Sequence, residues 1–204
     1  MADTFIQAVI DNDVEGVRVG LASGRDPNLP DQYGWIPLHR AAANDSAEVG
    51  EILLQAGSSL VATGTDDWTP LHLAAISGSS RMVKVLVAAG AAVDALSYCG
   101  DTPLHLAFYP ESAETLLNAG ANPTLPNHKG VTPLAKAQEK GYSAVADVIR
   151  RWIETNDNPK TGIVFSSCAA GGSSFAAFLN LAFSQTALPC AAGGCAGHGD
   201  SDVS

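Results

Sequence analysis

Basic side chains are scarce: 11 Lys and Arg stand against 21 Asp and Glu in 204 residues, a formal net charge of −10. That balance argues against nucleic acid or an anionic membrane surface as the main partner, because both select for clustered cations. Cysteine is scarce too. The four, at positions 99, 168, 190 and 195, are too few and too clustered for a disulfide framework, which points to a reducing compartment, the cytoplasm or the nucleus. The opening "MADTFIQAVIDNDVEG" lacks a basic segment and a long apolar run, so it does not read as a secretory leader. A Gly-rich phosphate loop, a Cys/His pair near a helix start and a carboxylate dyad are all missing, so catalytic machinery, a cofactor and a metal are not expected. Apolar residues still make up 46% of the chain, too many for a wholly disordered protein.

What is present is repetition. "WIPLHRAAA" begins at Trp35, "DWTPLHLAAI" at Asp67, "DTPLHLAFY" at Asp101 and "VTPLAKAQE" at Val131, with prolines at 37, 70, 103 and 133. Steps of 33, 33 and 30 residues are the signature of a solenoid built from one supersecondary unit. In the second copy Thr69 reads as an N-cap, Pro70 suits the first helical position, and Leu71, Ala74 and Ala75 are spaced for an inward face. Gly78 can stop that helix in a left-handed conformation. "SSRMVKVLVAA" supplies a second helix with Met82, Val83, Leu86 and Val87 on one stripe. Each helix is shorter than the roughly 12–15 residues an isolated helix needs, so stability must come from stacking.

These words, with the later "LLQAG", "LVAAG" and "LLNAG", resemble ankyrin repeats. The resemblance implies an all-α solenoid of helix-turn-helix units with short β-hairpin loops along one edge. Residues 1–30 resemble an N-terminal cap, full copies run 31–63 and 64–96, a shortened copy covers 97–126, and 127–158 is a C-terminal cap. It also implies that His39, His72 and His105 are structural, each bonded to the threonine hydroxyl and to the backbone of the adjoining copy. Their spacing fits that role better than catalysis, since no common nucleophile or Asp accompanies them.

Departures from the pattern carry information. Ile36 stands where Thr69 and Thr102 stand, removing a capping hydroxyl, a cost of about 1 kcal/mol. Ala135 replaces the histidine in the last copy, which has no following copy to reach. Pro110 disfavours helix at Tyr109, so the third copy's first helix should be cut short and the inner wall indented. Gly16 and Gly20 should weaken the first helix pair, by up to about 1 kcal/mol each, so that this end frays first.

Members of the family bind proteins, and the resemblance places the contact surface on the hairpin tips and the exposed side of each first helix. Here that selects Tyr33, Trp35, Asp66, Trp68, Tyr98, Asp101 and Tyr109, an aromatic stripe edged by acid that suits a basic, partly apolar protein segment. A monomeric, non-catalytic adaptor or scaffold is the expectation, with an inhibitor of a partner enzyme or a membrane-tethered adaptor as alternatives. Cys99, at a tip, is expected to be an exposed, inert thiol.

From 159 onward the composition changes to Ala, Gly, Ser and Cys, with no charge between Thr161 and Gly197. A disordered or loosely helical extension is expected. Residues 163–190 are long enough to cross a bilayer, but Asn180, Gln185, Pro189 and several glycines weigh against it. Metal binding by Cys168, Cys190, Cys195 and His198 is weaker still, because paired C-x2-C spacing is missing.

Overall fold

The computed structural model describes residues 4–31 and 33–156. The expectations for the tail, both the membrane anchor and the Cys/His metal site, lie outside the described residues. Five helix pairs follow one another: α1 (Thr4–Ile10) with α2 (Val14–Ala22), α3 (Pro37–Ala43) with α4 (Ala47–Gln55), and α5 (Pro70–Ser77) with α6 (Ser80–Ala88). A 3-10 turn (Pro103–Leu106) then pairs with α7 (Pro110–Asn118), and α8 (Pro133–Glu139) with α9 (Ser143–Thr155). First members pack on first members and second on second, giving an inner row α1, α3, α5, the 3-10 turn and α8, and an outer row α2, α4, α6, α7 and α9. Among the described residues no helix is long and apolar enough to cross a membrane.

Local chemistry sets the elements. Proline occupies the first turn of α3, α5 and α8 and of the 3-10 turn, where its missing N–H has no helical partner to lose. Gly78 ends α5 in the left-handed region at φ 76°, as anticipated. Leu38, Leu71 and Leu104, each following its proline, are buried, and so are Ala41, Ala42, Ala74 and Ala75. Small side chains at those points let the inner helices approach closely, and the outer row fills the core with Leu53, Met82, Leu86, Leu116, Leu117 and Ile149.

Two expectations change. Among the described residues no strand forms, so the projecting loops are hairpin-like turns rather than β-hairpins. Each is closed across its base by a backbone bond, from Asp31 N to Trp35 O, Gly64 N to Trp68 O, Ser97 N to Asp101 O and Asn127 N to Val131 O, at 2.9–3.1 Å, and by a tighter one inside it, to the first residue's carbonyl from Gly34 N, Asp67 N, Gly100 N and Gly130 N. Five residues per turn leave no room for a longer ladder. Gly20 is also more than a weak helix former: a Cβ there would overlap the Phe5 ring, so the glycine is what lets α1 lie on α2. Helix propensity says that Gly20→Ala gains up to about 1 kcal/mol. We expect a loss of about 1–3 kcal/mol instead, read as a lower urea midpoint, because the ring has to leave its buried seat.

The third copy is cut short as the proline implied. Tyr109 is extended (φ −118°, ψ 136°) immediately before Pro110, and one 3-10 turn stands where the other copies have seven or eight helical residues.

Candidate protein-binding face

The turn between copies is built from its first residue. Asp31 Oδ1 accepts from the amides of Tyr33 and Trp35, and Asn127 Oδ1 does the same for Lys129 and Val131. Ser97 Oγ accepts from Asp101 N. Gly64 has no side chain for this task, and the reason lies in the preceding copy. The Trp35 indole lies against it, and a Cβ at Gly64 would come within 2.6 Å of Trp35 Nε1. Asp66 and Asp67 accordingly complete the second turn with positive φ, 59° and 57°.

The fifth residue of each turn faces inward. Its carbonyl receives the histidine of the copy before: His39 Nε2 reaches Trp68 O at 2.9 Å, His72 Nε2 reaches Asp101 O at 3.0 Å, and His105 Nε2 reaches Val131 O at 2.9 Å. A carbonyl only accepts, so Nε2 carries the proton and Nδ1 is the acceptor. Nδ1 of His72 takes the Thr69 amide at 3.1 Å and lies 2.9 Å from the Thr69 hydroxyl; His105 and Thr102 repeat the pattern. At Ile36 only the amide bond to His39 remains, at 3.3 Å. In the last copy, where Ala135 replaces the ring, the Thr132 hydroxyl accepts from the Ala135 amide instead. The histidines are thus structural, and burial pushes all three pKa values below the ordinary imidazole value despite the opposing pull of the carbonyls.

This geometry divides the seven candidate residues. Trp35 and Trp68 are half-buried against the core, and Trp35 Nε1 is buried without a hydrogen-bond partner among the described residues. Asp101 does not face a partner. It is 8% exposed, its Oδ2 receives Lys136 Nζ at 2.7 Å and its Oδ1 receives Asn127 Nδ2 at 2.8 Å. Burial alone would raise its pKa, but the Lys136 and Asn127 bonds outweigh that and hold it below the usual carboxylate range. The sequence reading put Asp101 outside because the resemblance assigns that position of the repeat to the contact surface; its side chain is aimed at the next copy.

The outward set is Tyr33 (58% exposed), Asp66, Tyr98 (67%) and Tyr109 (51%). The first three share one edge: Thr65 Oγ1 donates to Tyr33 O, and Tyr98 N donates to Asp66 O. Asp66 and Asp67 are exposed and enter no ion pair among the described residues. Cys99, expected there as an exposed thiol, is half-buried and engaged.

Sequence reasoning missed Arg40 and Phe108. Arg40 sits 4.6 Å from the Trp35 ring and 5.8 Å from the Tyr33 ring while bound to Asp31 Oδ2, so it braces the first tip from below. Burial would raise the Asp31 pKa, yet the Arg40 bond and the two amides bring it below its ordinary value. A cation nine residues after an acid was the available signal. Phe108 occupies a place that is Ala42 and Ala75 in the two full copies, and its ring packs on Tyr142 at 5.1 Å. Among the described residues no cluster of three or more His, Cys, Asp or Glu is arranged to hold a metal ion.

A family model described as ankyrin repeats, in three copies, matches residues 5–96 and again 58–127.

Proposed function

The chain belongs to the ankyrin-repeat family, whose repeats are generally protein–protein interaction modules, and from that premise we propose that it is a non-catalytic adaptor holding a protein partner along its tip edge and inner face. The partner presents a basic, partly apolar segment. The observation that carries this reading is the row Tyr33–Asp66–Tyr98: two largely exposed tyrosines on either side of carboxylates that no cation among the described residues neutralises. Exposed aromatic rings lose little entropy on binding and bury large areas, and an unpaired acid between them selects for Lys or Arg.

The test is capture with the full chain and with the variant Tyr33→Ala/Asp66→Ala/Tyr98→Ala. None of the three side chains supports the core, so circular dichroism should be unchanged. Recovery of the specifically retained protein should fall at least tenfold, roughly 1.4 kcal/mol, and the wild-type interaction should weaken with salt. Equal recovery by both forms would remove the reading.

A further inference from the structure

The four turns between copies form one continuous ridge. Thr65 Oγ1 donates to Tyr33 O at 3.0 Å, Tyr98 N to Asp66 O at 2.9 Å and His128 N to Cys99 O at 3.1 Å, so each tip is tied to the one before it. The His128 ring also lies on Gly100, where a Cβ would come within 2.6 Å of His128 Cδ2. The fourth tip is therefore seated on the third, and Lys129 belongs to the same edge as Asp66 and Tyr98.

Charge is distributed unevenly along that ridge. Its charged residues are Asp31, Asp66, Asp67, Asp101 and Lys129. Arg40 binds Asp31 and Lys136 binds Asp101, so the first and third tips are locally neutral. Asp66 and Asp67 at the second tip and Lys129 at the fourth are exposed and enter no ion pair among the described residues. The ridge thus carries a negative pole and a positive pole two steps apart, with the exposed Tyr98 ring between them. Neighbouring helices pack about 8–10 Å apart, which puts the poles roughly 16–20 Å from each other. The screening length at physiological salt is about 8 Å, so each pole acts on a partner separately instead of cancelling the other.

We propose that the ridge binds a partner segment bearing two opposite charges: a Lys or Arg at Asp66 and Asp67, an Asp or Glu at Lys129, and an apolar side chain against Tyr98 between them. This rests on the tip edge being the binding edge, and it adds an acidic residue and a direction to the occupant. Charge complementarity sets the direction, because a segment docked the other way round brings like charges together at both ends. Chain geometry sets the spacing. An extended segment rises about 3.3 Å per residue, so charges about five or six residues apart meet both poles. A helical segment rises about 1.5 Å per residue and needs roughly eleven to thirteen.

A library of displayed random sixteen-residue peptides, selected on the full chain, supplies the probe. Selected peptides should carry a cation and an acid in one fixed order at one of those two spacings. Lys129→Glu should weaken them at least about fivefold. Changing the peptide's acid to lysine should recover that loss on the variant and bind the wild type poorly. Asp66→Asn/Asp67→Asn keeps residue types that tolerate the left-handed backbone, and it should weaken the original peptide by a similar factor. The substituted side chains are exposed, so circular dichroism should match the wild type, and both effects should shrink with added salt. A library that yields no binder would overturn the two-pole ridge. So would purely cationic binders that need Tyr33, Asp66 and Tyr98 but are indifferent to Lys129→Glu, a result that leaves the tip-edge reading standing. Binders indifferent to the Tyr33/Asp66/Tyr98 substitutions would remove that reading and the ridge with it.

Discussion

His72→Ala is expected to destabilise the stack by about 4 kcal/mol at pH 7, a large part of the roughly 5–15 kcal/mol that holds a domain of this size together. The ring is fully buried, and its removal strands the Thr69 amide, the Thr69 hydroxyl and the Asp101 carbonyl. Each buried group left without a partner costs about 1–3 kcal/mol, and the cavity adds to that. His39 lacks the hydroxyl partner, because Ile36 stands in for threonine, so His39→Ala should cost less. Denaturant unfolding of the two variants side by side checks the order; equal losses would mean that the hydroxyl contributes nothing.

The same rings make the fold sensitive to acid, in a direction that burial dictates. Their folded pKa values lie below the ordinary imidazole value. An unfolded chain therefore binds protons as pH falls through about 6.5 while the folded chain does not. Stability is full above that pH and declines below it, by up to about 1.4 kcal/mol per pH unit for each histidine. Asp31 and Asp101 act lower on the scale: their folded values are depressed, so their contribution is present above about 3.8 and is lost as pH falls through the folded values. The urea midpoint of the wild type should fall between pH 7.5 and 5.5, and His72→Ala should show a shallower fall.

Lys136→Met should cost about 3 kcal/mol at pH 7. The substitution keeps the length of the side chain and removes the charge opposite a carboxylate that is almost wholly buried. Only Asn127 would then face Asp101, and a buried charge without a counter-ion is far more costly than the intact pair is favourable. With the Lys136 bond gone and only weaker opposition to burial left, the Asp101 carboxyl would titrate higher than in the wild type, so the gap between variant and wild type should narrow as pH drops from 7 to 4. Asp101→Asn combined with Lys136→Met should recover most of the loss. A variant as stable as the wild type at pH 7 would show that this pair is solvated in practice.

Much of the architecture was readable from one-dimensional spacing, because a periodic stack writes each requirement again in every copy. Pro37, Pro70, Pro103 and Pro133 marked the helix starts, His39, His72 and His105 marked the joints, and Pro110 marked the break. The candidate face was less legible. Position in the turn does not say which way a side chain is aimed, so Asp101 and Tyr98, three residues apart, were assigned to one surface although one faces the next copy and the other faces solvent. Gly20 and Gly64 were opaque for a related reason. Each is small on account of a ring, Phe5 or Trp35, that arrives from another part of the chain, and a propensity scale has no knowledge of that visitor.

The histidine joints have a consequence for tolerance to change. Each imidazole grips a peptide oxygen, and every amino acid brings one. Tryptophan, aspartate and valine at positions 68, 101 and 131 are therefore interchangeable as sockets, whatever their side chains do. Drift or redesign at these sites can alter what lies beside a joint without loosening the joint itself.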